Sequence, residues 1–405
     1  MDHSLPDCDA TVLEPPGGTP VNPRDAAERA VENPHGPRLG ELVSPGETVA
    51  VVVTDVTRAT PDDVLLDVLL DELGDVGVGR ERVRVVLGLG LHRPMTDAEI
   101  AGALGEHADL AENHDADDAV EVGRVAPPGG GEEIPIELNP TVADADRVLS
   151  TGMVEPHQYA GFSGGAKTVA IGAGGESLIR YTHGPELLSR EGVRLGRTDD
   201  NPFRELLDRA GDAVGLDFCL NVTHGPQGIL DASAGYHRDV VADLAATAKE
   251  TLSVPIEREY DAVVAGVPDA KAANLYQATR AATYVVLGDR NPLRPDGRVV
   301  VPAELPEGAG EGKGERRFYD RLAGATDPAS LYEEMRAGYE PGAQRAFVVA
   351  RALRDHDVYV AGSEHPEVVE DCLMHARESV EDAVEPGSDV LVVPNALDTL
   401  LVSPS

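Results

Sequence analysis

Two kinds of apolar pattern alternate along the chain: continuous apolar runs, which are typical of buried strands, and the spacing of amphipathic helices. The continuous apolar run TVAVVV at 48–53 predicts a buried strand, and the segment DDVLLDVLLDEL that follows it has the apolar spacing of a helix. The segments VRVVLGLGLH and RVLSTGMV, at 83–92 and 147–154, predict two further strands. Because strands that alternate with helices build parallel sheets, this pattern indicates an α/β fold.

Helix start signals support the same assignment. Thr60 followed by Pro61 predicts the start of the helix after the first strand, because proline is favoured at the first helical position. Thr96 and Glu99 form a T-x-x-E capping box for the next helix.

A second series of alternating strands and helices begins after the segment SVPIEREY at 253–260. It contains a helix near 342–354, a strand at 357–362, a helix at 366–380 and a strand at 389–394. We therefore predict two α/β domains with largely parallel sheets and an active-site cleft between them. Their predicted bounds are 1–253 for the N-terminal domain and 257–390 for the C-terminal domain, with a tail at 391–405 that returns to the N-terminal domain.

The net charge restricts the kinds of molecule that the protein is expected to bind. Asp and Glu number 72 against 34 Lys and Arg, a formal net charge of -38, and the acids are spread along the whole chain. Such self-repulsion is largely screened only when the Debye length falls to about 3 Å near 1 M salt. We expect a protein of a high-salt cytoplasm, the alternative being an ordinary acidic protein, and we expect no nucleic-acid or anionic-membrane partner.

The remaining composition points to the same compartment. The chain has no apolar run of about 20 residues, and its first residues, MDHSLPDCDATVLEPPGG, lack the features of a signal peptide. The three cysteines, Cys8, Cys219 and Cys372, form no C-x-x-C pair. A cytoplasmic location is therefore expected.

Polar clusters follow three of the predicted strands. They are the turn at 55–58, the pair His92–Arg93 and the segment at 155–157. Ligands of open α/β sheets bind at the carboxyl ends of strands, so the three clusters together indicate a site. Each cluster alone has an ordinary structural explanation, a helix cap or a structural histidine.

The stretch GFSGGAKT at 161–168 differs from a P-loop by one residue. Ala166 stands where the last glycine of G-x-x-x-x-G-K-[ST] belongs, and EPHQYA separates the stretch from its strand, so a P-loop NTPase is disfavoured. The backbone N–H groups of Ser163, Gly164 and Gly165 could still hold a phosphate, or the stretch could be a flexible glycine turn. Only four lysines occur in the chain, and Lys167 is one of them.

Four motifs, in this order, carry a family resemblance. DVTR, GLHRP, EPHQYAGFSGGAK and YTHG resemble the nickel-dependent lactate racemase family, and NLYQATRAA at 274–282 is a fifth match. His157, Lys167 and His183 have the spacing that the family uses for its second catalytic histidine, its cofactor-bearing lysine and its metal-binding histidine.

The resemblance implies an isomerase with a nickel-pincer nucleotide, Ni(II)-pyridinium-3,5-bisthiocarboxylic acid mononucleotide, joined covalently to Lys167 and ligated at nickel by His183. Arginine could not replace this lysine, because a guanidinium stays protonated. Proteins that make the cofactor are then needed as partners. The residues expected to contact the cofactor are Asp55, Val56, Thr57, Arg58, Ser163, Gly164, Gly165, Lys167 and His183.

The family interconverts D- and L-lactate by reversible hydride transfer to this cofactor. The resemblance makes His92 and His157 the alternating acid and base, one for each face of the substrate. Arg58, Gln277 and Arg280 would hold the 2-hydroxy acid, and the C-terminal domain would close over it. Arg280 departs from the family pattern, which has a lysine there, so malate, a longer 2-hydroxy acid or a sugar acid remains open as substrate.

Two alternatives remain beside the lactate racemase. One is a racemase or epimerase of another 2-hydroxy acid with the same cofactor. The other is a nucleotide- or metal-binding protein without turnover. Two histidines at separate strand ends favour the enzymes, since binding alone needs no base on either side of a ligand.

Overall fold

The computed structural model describes residues 5–268, 271–338 and 342–404, and it has the predicted α/β fold. No helix in these ranges is long and apolar enough to cross a membrane. The strands are β1 (Asp9–Val12), β2 (Val49–Val53), β3 (Val83–Leu87), β4 (Ala111–Asn113), β5 (Val120–Val125), β6 (Ile134–Leu138), β7 (Arg147–Met153), β8 (Pro156–His157), β9 (Gly161–Phe162), β10 (Leu216–Gly225), β11 (Gly228–Gly235), β12 (Ser253–Pro255), β13 (Tyr260–Ala265), β14 (Leu293–Pro302), β15 (Asp357–Ala361), β16 (His375–Arg377), β17 (Asp389–Val393) and β18 (Leu400–Val402).

Helices connect most of these strands. The α-helices are α1 (Pro23–Glu32), α2 (Leu39–Leu42), α3 (Asp62–Asp75), α4 (Asp97–Leu104), α5 (Pro140–Ala143), α6 (Glu176–Thr182), α7 (Pro185–Leu188), α8 (Pro202–Ala213), α9 (His237–Leu252), α10 (Leu275–Val286), α11 (Lys313–Ala323), α12 (Pro328–Ala337), α13 (Gln344–Leu353), α14 (Pro366–Asp371) and α15 (Val380–Ala383). Short 3-10 turns occupy Arg80–Arg82 and Gly105–Leu110, and a turn of π-helix occupies Thr168–Gly172.

The chain divides into two compact units whose bounds differ from the predicted domains. One unit comprises 17–182 and 197–251, and the other comprises 1–16, 183–196 and 252–405. The first sixteen residues group with the C-terminal part because β1 pairs in parallel with β17. The tail groups with it as well, since β18 pairs with β12.

The unit of 17–182 and 197–251 is built on a six-stranded sheet in the order β11-β10-β7-β2-β3-β4. Every neighbouring pair is parallel except β10 and β11. All five residues of β2 are buried, as expected for a central strand covered on both faces. The helix α3 packs Leu65, Leu69 and Leu73 into the same core.

The two predicted helix starts have different outcomes. The capping box at α4 is confirmed, because the Thr96 side chain accepts a hydrogen bond from the Glu99 N–H and Glu99 bonds back to the Thr96 N–H. The start of α3 lies one residue later than predicted, with Pro61 as a cap residue and no side-chain cap.

The other unit has a six-stranded, fully parallel sheet in the order β1-β17-β13-β14-β15-β16. The helix predicted at 366–380 is shorter in the structure, since α14 ends at Asp371. Leu373 adopts a positive φ of 61°, which breaks the helix, and the chain then forms β16 beside β15.

Candidate active site

The carboxyl ends of four neighbouring strands carry the candidate site. Asp55 follows β2, His92 follows β3, Glu155 and His157 follow β7, and His224 lies near the end of β10. These strands lie side by side in the order β10-β7-β2-β3 and run in parallel. The sheet therefore brings the three predicted polar clusters to one edge, where open α/β sheets bind ligands.

Asp55 and His92 form a close polar pair. The His92 Nδ1 lies 2.6 Å from the Asp55 Oδ2, and the Thr57 N–H donates to the Asp55 Oδ1 at 3.0 Å. Burial acts to raise the pKa of the Asp55 carboxyl, but the hydrogen bonds from His92 and Thr57 and the charge of His92 lower this pKa to about 2. Asp55 is thus an ionised carboxylate that accepts a proton-bearing Nδ1 and leaves Nε2 of His92 as the acceptor nitrogen of the neutral ring.

The His157 ring is held by the turn that follows it. The N–H groups of Tyr159 and Ala160 point at His157 Nδ1, at 3.3 and 3.1 Å. The ring also contacts the aromatic rings of Tyr159 and Phe203, with centroid distances of 5.6 and 6.3 Å. Because Nδ1 accepts hydrogen bonds, the proton of the neutral ring resides on Nε2.

Arg58 forms an ion pair with Glu155, and His224 lies on the other side of the same carboxylate. The His224 Nε2 is 3.4 Å from the Glu155 Oε2. Arg58 and the segment of Glu155 are among the residues predicted from the sequence, and His224 is not. The signal that could have found it is the segment NVTHG, where a polar residue ends an apolar strand in the same way as at β3.

The Gly-rich stretch does not form the open phosphate cradle predicted from its sequence. The Ser163 N–H donates to the Glu155 carbonyl at 2.9 Å, and the Gly165 N–H donates to the Asn221 side chain at 2.8 Å. These two N–H groups have internal acceptors because the stretch is buried and packs against β7 and β10. Gly164 and Gly165 have positive φ values of 78° and 58°, so the glycines serve a fixed, tightly packed turn.

Lys167 lies where this turn meets the π-helix Thr168–Gly172. The π-helix is packed against the loop that carries His92, since the Gly90 N–H donates to the Gly172 carbonyl at 2.7 Å. Isolated π-helical turns occur frequently at functional sites. The contact fixes the segment after Lys167 relative to the loop that holds His92.

A Gly88→Ala substitution is expected to disrupt this contact. A Cβ at residue 88 would lie 2.9 Å from the Val53 carbonyl oxygen and 3.3 Å from both Gly172 Cα and the Thr168 carbonyl oxygen. All three are backbone atoms, so we expect a loss of about 1–3 kcal/mol in unfolding free energy, measured by urea titration.

Gly102→Ala is the matched control for Gly88→Ala. Gly102 lies inside α4 with no atom within 4 Å of an added Cβ, so alanine should stabilise the protein by about 0.5–1 kcal/mol through helix propensity. Equal unfolding free energies for the two variants would contradict the close contact at Gly88.

A buried charged cluster that sequence analysis missed lies behind the Gly-rich turn. Arg204 and Asp208 on α8 are 4% and 8% exposed, and His237 at the start of α9 is 1% exposed. The Arg204 Nη1 donates to the Gly164 carbonyl at 3.5 Å, and its Nε is 3.5 Å from the Asp208 Oδ1. The pair on α8 is four residues apart, but no local pattern reveals that His237 joins it from α9.

Asp62 is a second buried acid close to the site. It is 3% exposed and accepts hydrogen bonds from the hydroxyls of Thr54 and Thr151 at 2.7 and 2.5 Å. Burial raises the pKa of its carboxyl to about 7, against the opposite effect of the two hydroxyls. The carboxyl is therefore largely protonated below neutral pH and anchors the start of α3 to β7.

The titration of Asp62 predicts a pH dependence of stability. The native state keeps this proton up to about pH 7, whereas the unfolded chain releases it near pH 4, so stability falls by up to about 1.4 kcal/mol per pH unit between those values. Asp62→Asn should remove this slope in urea unfolding curves, and Asp63→Asn, at the exposed neighbour, should keep it. Parallel pH profiles for wild type and Asp62→Asn would contradict the raised pKa.

Three other predicted site residues belong to the other unit. His183 begins its segment 183–196, directly after α6, and Gln277 and Arg280 lie one turn apart on α10. The Gln277 Oε1 and the Arg280 Nε are buried and have no hydrogen-bond partner among the described residues. Buried polar atoms of this kind are costly unless a ligand or water satisfies them.

The known proteins to which this chain is similar in sequence are lactate racemases. A sequence model described as the Lactate racemase N-terminal domain matches residues 2–196. The chain is 27% identical over 408 residues to a lactate racemase of Thermoanaerobacterium thermosaccharolyticum and 26% identical over 409 residues to one of Lactiplantibacillus plantarum. Each alignment covers 94% of this chain and 91% of the relative.

Solved structures show the same fold. The lactate racemase apoprotein of T. thermosaccharolyticum is similar with a TM-score of 0.85 at 24% identity, covering 99% of this chain and 97% of that one. A Thermotoga maritima protein is similar with a TM-score of 0.70 at 17% identity, covering 95% and 98%. The chain thus carries a Lactate racemase N-terminal domain and is similar to lactate racemases over nearly its whole length.

Proposed function

We propose that this protein is an isomerase that interconverts D- and L-lactate with a nickel-containing cofactor, the nickel-pincer nucleotide. The proposal rests on the carboxyl edge of one sheet, which bears the Asp55–His92 pair, His157 and the Arg58–Glu155 pair in a chain similar to lactate racemases. A binding protein has no need of two imidazoles whose tautomers are fixed by separate partners.

The residues present fit such a cofactor in part. Lys167 is a half-buried amine beside the close contact between the π-helix and the His92 loop, and His183 is an imidazole of the kind that suits nickel. The unsatisfied atoms of Gln277 and Arg280 fit a polar ligand. The N–H groups of Ser163 and Gly165 do not fit a phosphate, because both have internal acceptors.

In the proposed assignment Lys167 would hold the cofactor covalently and His183 would be the protein's ligand to nickel. When bound, the cofactor would supply an electron-poor centre for reversible hydride transfer with the substrate C2. Loading requires the proteins that make the cofactor. Every proton in the reaction is handled by this chain's own side chains.

His92 acts as the base. Its Nδ1–H is held by Asp55, so Nε2 accepts the proton of the substrate hydroxyl. Asp55, with a pKa near 2, stays ionised and stabilises the imidazolium that results. His157 presents the opposite tautomer, a proton-bearing Nε2, and can therefore donate a hydrogen bond to the substrate oxygen. The substrate hydroxyl loses and regains a proton, so it needs both a proton acceptor, His92, and a proton donor, His157.

Arg58 takes the carboxylate of the 2-hydroxy acid, because a guanidinium fork matches carboxylate geometry. Gln277 and Arg280 contact the substrate as well. Arginine at position 280 is bulkier and more planar than the lysine of the family pattern, so the substrate can be a 2-hydroxy acid other than lactate.

Direct assay of interconversion tests the proposal. Protein from a host shown to make the cofactor is incubated in molar KCl with L-lactate, D-lactate, L-malate and a sugar acid, and the enantiomers are separated by chiral chromatography. Conversion of lactate in both directions supports the proposal. If malate or the sugar acid alone is converted, that acid is the substrate and lactate is not. If nickel-loaded protein converts none of these acids, the racemase proposal is wrong.

Adaptation to high salt is part of the proposal, and it rests on the formal net charge of -38. Dilution of KCl from molar to about 0.1 M lengthens the Debye screening distance from about 3 to about 10 Å. We expect circular dichroism to show loss of folded structure over this range. Equal stability at both ends would contradict the adaptation.

A further inference from the structure

Three charged or titratable side chains form a chain of contacts at the site. Arg58 pairs with one carboxylate oxygen of Glu155, and His224 Nε2 lies 3.4 Å from the other. The three side chains are 23%, 21% and 21% exposed, so water screens them only in part. They come from different strand ends, those of β2, β7 and β10.

The backbone holds Glu155 and His224 in this arrangement. The Ser163 side chain accepts a hydrogen bond from the Glu155 N–H at 3.1 Å, and the Ser163 N–H donates to the Glu155 carbonyl at 2.9 Å. The Thr223 hydroxyl donates to the Val154 carbonyl at 2.7 Å, which ties the residues before His224 and Glu155 together. The contact between His224 and Glu155 therefore belongs to a fixed part of the fold.

The charge of this cluster depends on His224. With a neutral imidazole, the positive charge of Arg58 is balanced by Glu155, and the cluster offers no net attraction to an anion. With an imidazolium, the cluster carries one positive charge. An anion that binds at Arg58 competes with Glu155 for the guanidinium and leaves this carboxylate in need of another cation, which His224 becomes when it gains a proton.

We propose that His224 sets the charge of the Arg58–Glu155 pair, so that an organic anion binding at Arg58 draws a proton from solvent onto His224. The inference rests on the proposed function, in which Arg58 takes the carboxylate of a 2-hydroxy acid. The proton moves from water to a ring nitrogen, and no other bond forms or breaks. His224 acts through Glu155 and Arg58 and is a positioning residue.

Among the residues of β11 and of the segment after β7 that lie beside His224, Glu155 is its acidic partner. Glu155 approaches from the end of β7, and Arg58 lies beyond it. On β11 the residue opposite His224 is Ile229, and the nearest acid on that strand, Asp231, accepts a hydrogen bond from the Ala232 N–H. The linkage has a definite sign, because an anion at Arg58 draws the guanidinium away from Glu155 and so favours the imidazolium beside that carboxylate. Because binding takes up a proton, the affinity for the anion is higher at lower pH and falls as pH rises.

Calorimetry with 2-hydroxy-2-methylpropanoate measures this proton directly. This acid has a carboxylate and a hydroxyl but no hydrogen on C2, so it binds without turnover. Holoenzyme in molar KCl is titrated near pH 7 in buffers of different ionisation enthalpy, and the dependence of the binding heat on that enthalpy gives the number of protons taken up. We expect more uptake by wild type than by His224→Gln.

The matched control is His35→Gln. His35 forms the same kind of pair in the same unit, with its Nε2 3.2 Å from the Asp243 Oδ2, and it is not part of the site. It should take up as many protons as wild type. Glu155→Gln should lower the uptake as His224→Gln does, and it serves as the second variant if circular dichroism shows that His224→Gln is unfolded.

Equal proton uptake by wild type and both site variants would overturn the inference. Racemisation of lactate by the same wild-type preparation separates this result from failure of the proposed function. If wild type racemises lactate and the proton counts are equal, the role of His224 is wrong while the racemase stands. If nickel-loaded wild type neither racemises a 2-hydroxy acid nor binds the analogue, the proposed function fails first.

Discussion

A His92→Gln variant should retain its fold and lose racemisation by a factor of about 10²–10⁴, the usual contribution of a positioned acid–base group. Glutamine keeps a hydrogen-bond donor for Asp55 but cannot accept a proton from the substrate as an imidazole nitrogen can. Both directions should be slower, because the hydroxyl proton removed from one enantiomer must be returned to form the other. Chiral chromatography of product from each enantiomer measures the two rates.

Asp55→Asn distinguishes a positioned base from a histidine that only fills space. An asparagine can present its amide N–H to His92 Nδ1, which favours the tautomer with a proton on Nε2 and blocks that nitrogen as a base. We expect a loss of activity comparable to that of His92→Gln, with folding unchanged by circular dichroism. Activity that persists in either variant would show that His92 is not the base.

Replacement of Lys167 should have the second large effect. Lys167→Arg keeps a positive charge at the π-helix start but removes the nucleophilic amine, since a guanidinium stays protonated at any working pH. Expressed with the cofactor-making proteins, wild type should gain mass on the peptide that contains residue 167, and Lys167→Arg should gain none. Racemisation by the variant should fall below detection.

Lys249→Arg is the matched control for this experiment. Lys249 lies on α9 in the same unit, with its Nζ 5.8 Å from the centre of the Phe162 ring, an interaction that arginine can also make. It should keep the added mass and the activity. Added mass on Lys167→Arg equal to that on wild type would contradict attachment at Lys167, and nickel without added mass would indicate a non-covalent cofactor.

Those parts of the fold that depend on short-range pattern were predictable. The apolar run at 48–53 could be buried only as a central strand, and Thr96 with Glu99 specified a helix start through hydrogen bonds three residues apart. The polar residues after β2, β3 and β7 could be assigned to one edge because parallel strands end on the same side of a sheet. These local rules were enough to bring Asp55 and His92 together before any distance was known.

Those parts that depend on distant partners were not predictable. The first sixteen residues join the unit of the C-terminal half because β1 pairs with β17, whose residues lie 380 positions later in the chain. The N–H of Gly165 is unavailable to a phosphate because Asn221 accepts it, and Arg204 supports Gly164 from a different helix. The sequence GFSGGAK gives no indication of either partner, so a cradle was the natural expectation.

Racemisation of L-lactate deuterated at C2, in ordinary water, tests the central claim most directly. The nickel-loaded enzyme is incubated in molar KCl, the D-lactate is isolated by chiral chromatography, and its deuterium content is measured by mass spectrometry. The proposed chemistry predicts D-lactate that retains deuterium at C2, because the hydrogen leaves and returns as hydride while His92 and His157 exchange only the hydroxyl proton. D-lactate that has lost its deuterium to solvent would contradict hydride transfer, and a folded, nickel-loaded enzyme that produces no D-lactate would contradict the racemase itself.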